Sequence, residues 1–94
     1  MKGPAVNDLK KLERVLKALA NRRRLAMLAH IKKHHEAAVG DIATTLKLSI
    51  KATSKHLGVL AAADILEREQ RTIFMFYRLA DKLPASAKDI ITRL

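Results

Sequence analysis

Turning each residue by about 100° along a helix places Lys51, Ser54, Lys55 and Gly58 on one side, opposite Leu57 and Leu60. Two ammonium groups and a hydroxyl so spaced can meet phosphates and base edges together, while Gly58 leaves room for a close backbone approach. Ser49 stands where it would cap this helix, and Thr53 and His56 complete its polar set. His56 turns nearer the apolar side, which suits either packing or positioning of a phosphate. The bland reading of the same face is a solvated helix surface.

Further cations cluster at Arg22, Arg23 and Arg24, directly after the capping residue Asn21. Three positive charges at the positive end of a helix dipole are locally unfavourable, and a nearby phosphate would reverse that penalty. Arg68 and Arg71 are available beside a hairpin tip, where Arg71 is the better placed for a minor-groove or phosphate contact. His30 and His34, spaced i to i+4 with His35 and Glu36 beside them, have the spacing of two metal ligands. Histidines at a helix end are more often simply solvated, and no metal is expected.

These residues need elements to hold them. Residues 1–6 contain Gly3 and Pro4 without periodicity and read as a flexible lead-in. Asn7 or Asp8 would cap a first helix, in which Leu9, Leu12, Val15, Leu16 and Leu19 recur at helical spacing among Lys10, Lys11, Arg14 and Lys17. Asn21 caps a second, running to about His34, and a short third spans Val39 to Leu46. After a turn at Lys47 and Leu48, Ser49 opens a fourth from Ile50 to about Ala63, ended by Asp64. Strand-like segments follow at 65–68 and 72–79, with Glu69 to Arg71 as the tip and all three aromatic residues between Phe74 and Tyr77. Pro84 suits the first turn of a last helix whose Ala87, Ile90, Ile91 and Leu94 form an apolar stripe. So short a helix needs a surface to pack on, and the first helix, or its copy in a second subunit, is the candidate.

Composition narrows the function. Ninety-four residues fit one domain, marginal in the surface it can bury, so a partner subunit would help. The formal charge of +10 points to a polyanion, nucleic acid or anionic membrane. Ten Lys or Arg against two acids lie in residues 1–35, so most of the positive charge stands outside the Lys51 face. There is no cysteine, which removes disulfides, thiolate metal sites and cysteine nucleophiles. Apolar runs reach five residues, as at Leu25 to Ala29, against about 20 for a membrane span, so the chain is expected to be soluble and cytoplasmic, with no membrane partner. No phosphate loop, nucleophile elbow, zinc-protease helix or dinucleotide fingerprint is present, and the reading is not an enzyme and without cofactor.

Two helices joined by a turn and followed by a hairpin describe a winged helix-turn-helix, mainly α with five helices and a two-stranded wing. From about Leu9 to Leu79 the chain resembles the ArsR/SmtB family of transcriptional repressors. Leu19-Ala20-Asn21-Arg22-Arg23-Arg24-Leu25 is similar to that family's Leu-Ala-Asp-Pro-Thr-Arg-Leu opening of the second helix, with Arg24 at the matching arginine. Leu48-Ser49, then Thr53-Ser54-Lys55-His56-Leu57 and Leu60, resemble its recognition helix, and Phe76-Tyr77-Arg78-Leu79 its closing wing strand. The departures are a wing tip without the family's Gly and Arg, and the loss of both usual metal sites, the third-helix one because the chain has no cysteine and the C-terminal one because residues 80–94 hold no histidine.

The resemblance and the residues together imply a duplex-DNA-binding repressor, a homodimer through its first and last helices, with residues 80–94 as the dimerisation region. Ser49, Lys51, Thr53, Ser54, Lys55, His56, Arg24 and Arg71 are the expected DNA contacts. The competing reading is a basic module, or nonspecific DNA binder, whose N-terminal helices bind polyanions or anionic membrane.

Overall fold

The computed structural model describes residue 3 and residues 5–94. Five helices, α1 (Val6–Leu19), α2 (Arg22–His34), α3 (Val39–Leu46), α4 (Ile50–Ala62) and α5 (Ala85–Thr92), surround a sheet of β1 (Ala37–Ala38), β2 (Leu66–Arg71) and β3 (Phe74–Leu79). The sheet is antiparallel in the order β1-β3-β2, three strands where the sequence suggested two. Ala37 pairs with Tyr77 and Ala38 with Phe76, so the wing is anchored to the helical body through β1. Two alanines are too short a run to announce a strand; Tyr77, buried between them and β2, is what recruits them.

Helix boundaries follow local chemistry. The Asn21 side chain accepts from the backbone N–H of Arg23 at 3.0 Å and of Arg24 at 3.1 Å, and Ser49 Oγ accepts from that of Ala52 at 3.0 Å. Lys47, at φ 56, ends α3 in the left-handed region and turns the chain into α4. The first helix corrects the expected start: Ala5 precedes it and neither Asn7 nor Asp8 caps it, both lying inside. Of the lead-in, residues 1, 2 and 4 lie outside the described residues, whereas Val6 is helical.

The core joins α2, α3 and α4: Met27, Leu28, Ile31, Ile42, Leu57, Leu60 and Ile65 are wholly buried. Val15, Ala18 and Leu19 carry α1 onto this body, and Ala87 and Ile91 do the same for α5, which packs on α1. Lys32 fastens the far end of α5 from α2. Its Nζ donates to the carbonyls of Ile91, Thr92 and Leu94 at 3.0 to 3.2 Å, a cation at a helix C-terminus.

The hairpin tip is also a correction. Leu66 to Arg71 pair with Leu79 to Phe74, which makes Thr72 and Ile73 a two-residue loop and takes Glu69 to Arg71 into the ladder. The charged, exposed run from Arg68 to Arg71 disguised an edge strand. Arg78 holds the two strands together through ion pairs to Glu67 at 3.3 Å and Glu69 at 3.2 Å. Among the described residues no helix is long and apolar enough to cross a membrane.

Candidate nucleic-acid interface

α4 divides its surface by rotation, as its sequence demands. Thr53, Leu57 and Leu60 are buried, while Lys51, Ser54 and Lys55 are exposed. α3 and the turn at Lys47 brace α4 from behind, leaving its polar side outward. Ser49 is exposed and serves as the cap, so its hydroxyl already accepts one backbone N–H.

Thr53 is a correction to the expected contacts. It is wholly buried, and its Oγ1 donates to the carbonyl of Ser49 at 2.8 Å. A hydroxyl so placed cannot reach a base edge; it joins the first turn of α4 to its cap. The same rotation that collected Lys51, Ser54 and Lys55 puts Thr53 between Leu57 and Leu60, so the signal was in the sequence.

Arg24 stands behind the reading face. Its Nε donates to the carbonyl of Ala18 at 2.6 Å and one amino group to that of Lys17 at 3.0 Å, so it closes the C-terminus of α1. The other amino group lies 3.2 Å from Nδ1 of His56. The guanidinium therefore binds α1 to α4.

His56 is half-buried, and its pKa is lowered from the ordinary value, first by burial and then by the charges of Arg24, Arg23 and Lys55. A neutral ring accepting at Nδ1 carries its proton on Nε2. Arg23, exposed on α2, and Lys55, exposed on α4, both act on the His56 ring. Arg22 and Arg23 line an open hollow with Asn21 at the start of α2.

At the wing, Arg71 is already engaged. It donates to Glu36 at 2.6 Å, and its guanidinium lies 3.9 Å from the centre of the Phe76 ring. Thirty-five residues separate Arg71 from Glu36 in the chain, so no local pattern foretold the pair. Arg68 is exposed on β2, and Ile73 and Phe74 project at the tip, 86% and 55% exposed.

His30 and His34 approach with ring centres 4.4 Å apart, and the pKa of His30 is lowered by burial and then by His34. Among the described residues no group of three or more histidines or acids is arranged to hold a metal ion.

Comparison with known proteins adds to this geometry. No family model matches the chain. It is 31% identical over 80 residues to the transcriptional activator HlyU of Vibrio cholerae, covering 85% of this chain and 73% of that protein. The chain belongs to the ArsR/SmtB family. A second ArsR/SmtB relative, the arsenical resistance operon repressor of Bacillus subtilis, is 27% identical over 74 residues, 79% of this chain and 70% of that one. The solved HlyU structure superposes with a TM-score of 0.78 at 29% identity, over 95% of this chain and 92% of that one. A homodimeric winged helix-turn-helix DNA-binding domain from Mycobacterium bovis gives 0.79 at 28% identity, over 99% and 85%. The ArsR/SmtB fold is thus a winged helix-turn-helix here too, with β1 as its third strand.

Proposed function

We propose that this chain is a sequence-specific, duplex-DNA-binding transcriptional regulator, not an enzyme, which acts as a homodimer in the cytoplasm. The observation that carries the reading is the outward side of α4. Lys51, Ser54 and Lys55 are exposed together on a helix whose opposite side is locked into the core, behind a helix and a turn. Relatives named as an activator, a repressor and a homodimeric DNA-binding domain support it.

In the dimer the whole chain acts as one domain, and α1 and α5 supply the subunit interface. Val6, Leu9, Leu12 and Leu16 form a stripe along α1 that is 41 to 68% exposed, more apolar surface than one small helix leaves in water without a partner. Two-fold symmetry then presents the two α4 helices to successive major grooves about 34 Å apart. Lys51 and Lys55 contact backbone and base edges, Ser49 and Ser54 add hydrogen bonds, and Arg24 and His56 hold α4 in place. Arg71 contacts the backbone where a phosphate displaces Glu36. The action is repression, by occupation of an operator.

Duplex-binding measurements on Lys51→Ala and Lys55→Ala test the assignment. Each folded variant is expected to weaken binding to a selected duplex about tenfold and to lower the salt dependence. A folded double variant with unchanged affinity and sequence preference would remove α4 from the interface.

A further inference from the structure

α1 has three distinct sides. Val15, Ala18 and Leu19 face the core, Leu9, Leu12 and Leu16 form the exposed apolar stripe, and Lys10, Arg14 and Lys17 occupy the flank between them. That flank is one wall of an open groove of about 520 Å³ whose other wall is α4 at Val59, with Ala18 and Arg24 also lining it. Its acid is Glu13, 3.9 Å from Lys17 in an exposed pair, and among the described residues Lys10 and Arg14 make no ion pair.

The groove continues the reading surface. Arg24 borders it while touching His56 on α4, and Val59 lies one helical turn beyond Lys55. An open trough between two helices, bordered by Lys10 and Arg14, unpaired among the described residues, and by Lys17 with its exposed partner Glu13, fits a single phosphodiester strand better than a flat charged layer.

We propose that the α1–α4 groove is a second DNA-backbone site, in which Lys10, Arg14 and Lys17 grip the phosphates between the two half-sites of an operator. The inference rests on the dimeric DNA-binding reading above. α1 packs against α4 and its apolar stripe meets the partner, so the path from each reading helix to the two-fold axis crosses this groove. Two copies therefore flank the axis, over the spacer that the α4 helices themselves do not reach. This assigns a use to the charge concentrated in residues 1–35, which α4 leaves unexplained.

The test compares the wild-type protein with the triple variant Lys10→Gln, Arg14→Gln, Lys17→Gln on a duplex selected by the wild type, and on the same duplex with methylphosphonates across the spacer. At physiological salt the triple variant is expected to bind at least about 100-fold more weakly. The slope of log affinity against log salt falls by about 3 to 5, because each phosphate neutralised contributes about 0.9 and two protomers act. The selected half-site sequence stays the same, and spacer methylphosphonates weaken the wild type but not the variant. Glu13→Gln, which removes the acid of the groove, is expected to tighten binding and steepen the slope. Wild-type affinity and slope in a folded triple variant would overturn the proposal. So would a triple variant found monomeric by sedimentation, since the three residues would then belong to the subunit contact. A wild-type protein with no duplex preference, or one that binds vesicles of one-third phosphatidylglycerol in place of duplex, would overturn the DNA-reading function and this site together. Normal wild-type selection with an unaffected variant would overturn this site alone.

Discussion

Arg24 reaches from α2 to within 3.2 Å of Nδ1 of His56 on α4, while its other donors close the end of α1. One guanidinium thus joins the helix proposed for dimerisation to the helix proposed for reading DNA. The hydrogen bond requires His56 to keep a lone pair at Nδ1, so protonation of the ring turns an attraction into a repulsion between two cations.

Stability should therefore depend on pH in a defined direction. His56 and His30 both have folded pKa values below the ordinary 6.5, each lowered first by burial. The unfolded chain then binds more protons in this range, and stability present above pH 6.5 is lost as pH falls through the lower folded values. Urea midpoints measured from pH 7.5 down to 5.5 should fall, and His56→Gln should flatten the decline. An unchanged midpoint in the wild type would contradict the half-buried, neutral ring.

Thr53 and its exposed neighbours should separate in binding assays. Thr53→Val removes a buried hydroxyl bonded within its own helix, so duplex affinity should stay within about twofold while stability falls by roughly 1 kcal/mol. Lys51→Ala should do the reverse. Equal losses of affinity in both, measured by titration of the selected duplex, would show that α4 was oriented wrongly.

The apolar stripe of α1 should control the oligomeric state. Leu9 and Leu16 are each half-exposed in the single subunit, so Leu9→Asp with Leu16→Asp costs the monomer little and places charge inside a dimer. Sedimentation equilibrium should find a monomer whose duplex affinity is at least about 100-fold lower, as two linked half-sites become independent. A dimer of normal strength would relocate the interface.

The wing tip carries avoidable strain. Thr72 has φ 54, a conformation costly for a β-branched residue and natural for glycine. Thr72→Gly should raise stability by about 0.5 kcal/mol, the relief offset in part by the greater freedom of an unfolded glycine. A lower denaturation midpoint would mean that the Thr72 hydroxyl, 2.6 Å from the Arg71 carbonyl, outweighs the strain.

Much of this arrangement was legible in the sequence because its signals are local. Asn21 and Ser49 mark helix starts through side chains that reach two or three residues on, and the polar and apolar sides of α4 follow from its period. Contacts between distant residues left no such trace. Arg24 and Arg71 read as free cations until the fold brought them to His56 and Glu36, and Ala37 and Ala38 became a strand only through Tyr77. Thr53 failed differently: its position within a family motif suggested a contact, although its rotation already placed it with the core. The stripe on α1 read as amphipathic, and Leu9, Leu12 and Leu16 proved to face outward, on the side proposed above for the partner subunit.

Selection from random duplexes at physiological salt, with shuffled duplex as competitor, tests the central claim most directly. A dimer reading DNA through α4 should enrich two related half-sites with centres about 34 Å apart, one helical turn, and Lys51→Ala with Lys55→Ala should abolish the enrichment. No enriched motif, with binding that simply collapses as salt rises, would contradict the account and leave a basic protein that holds polyanions without reading them.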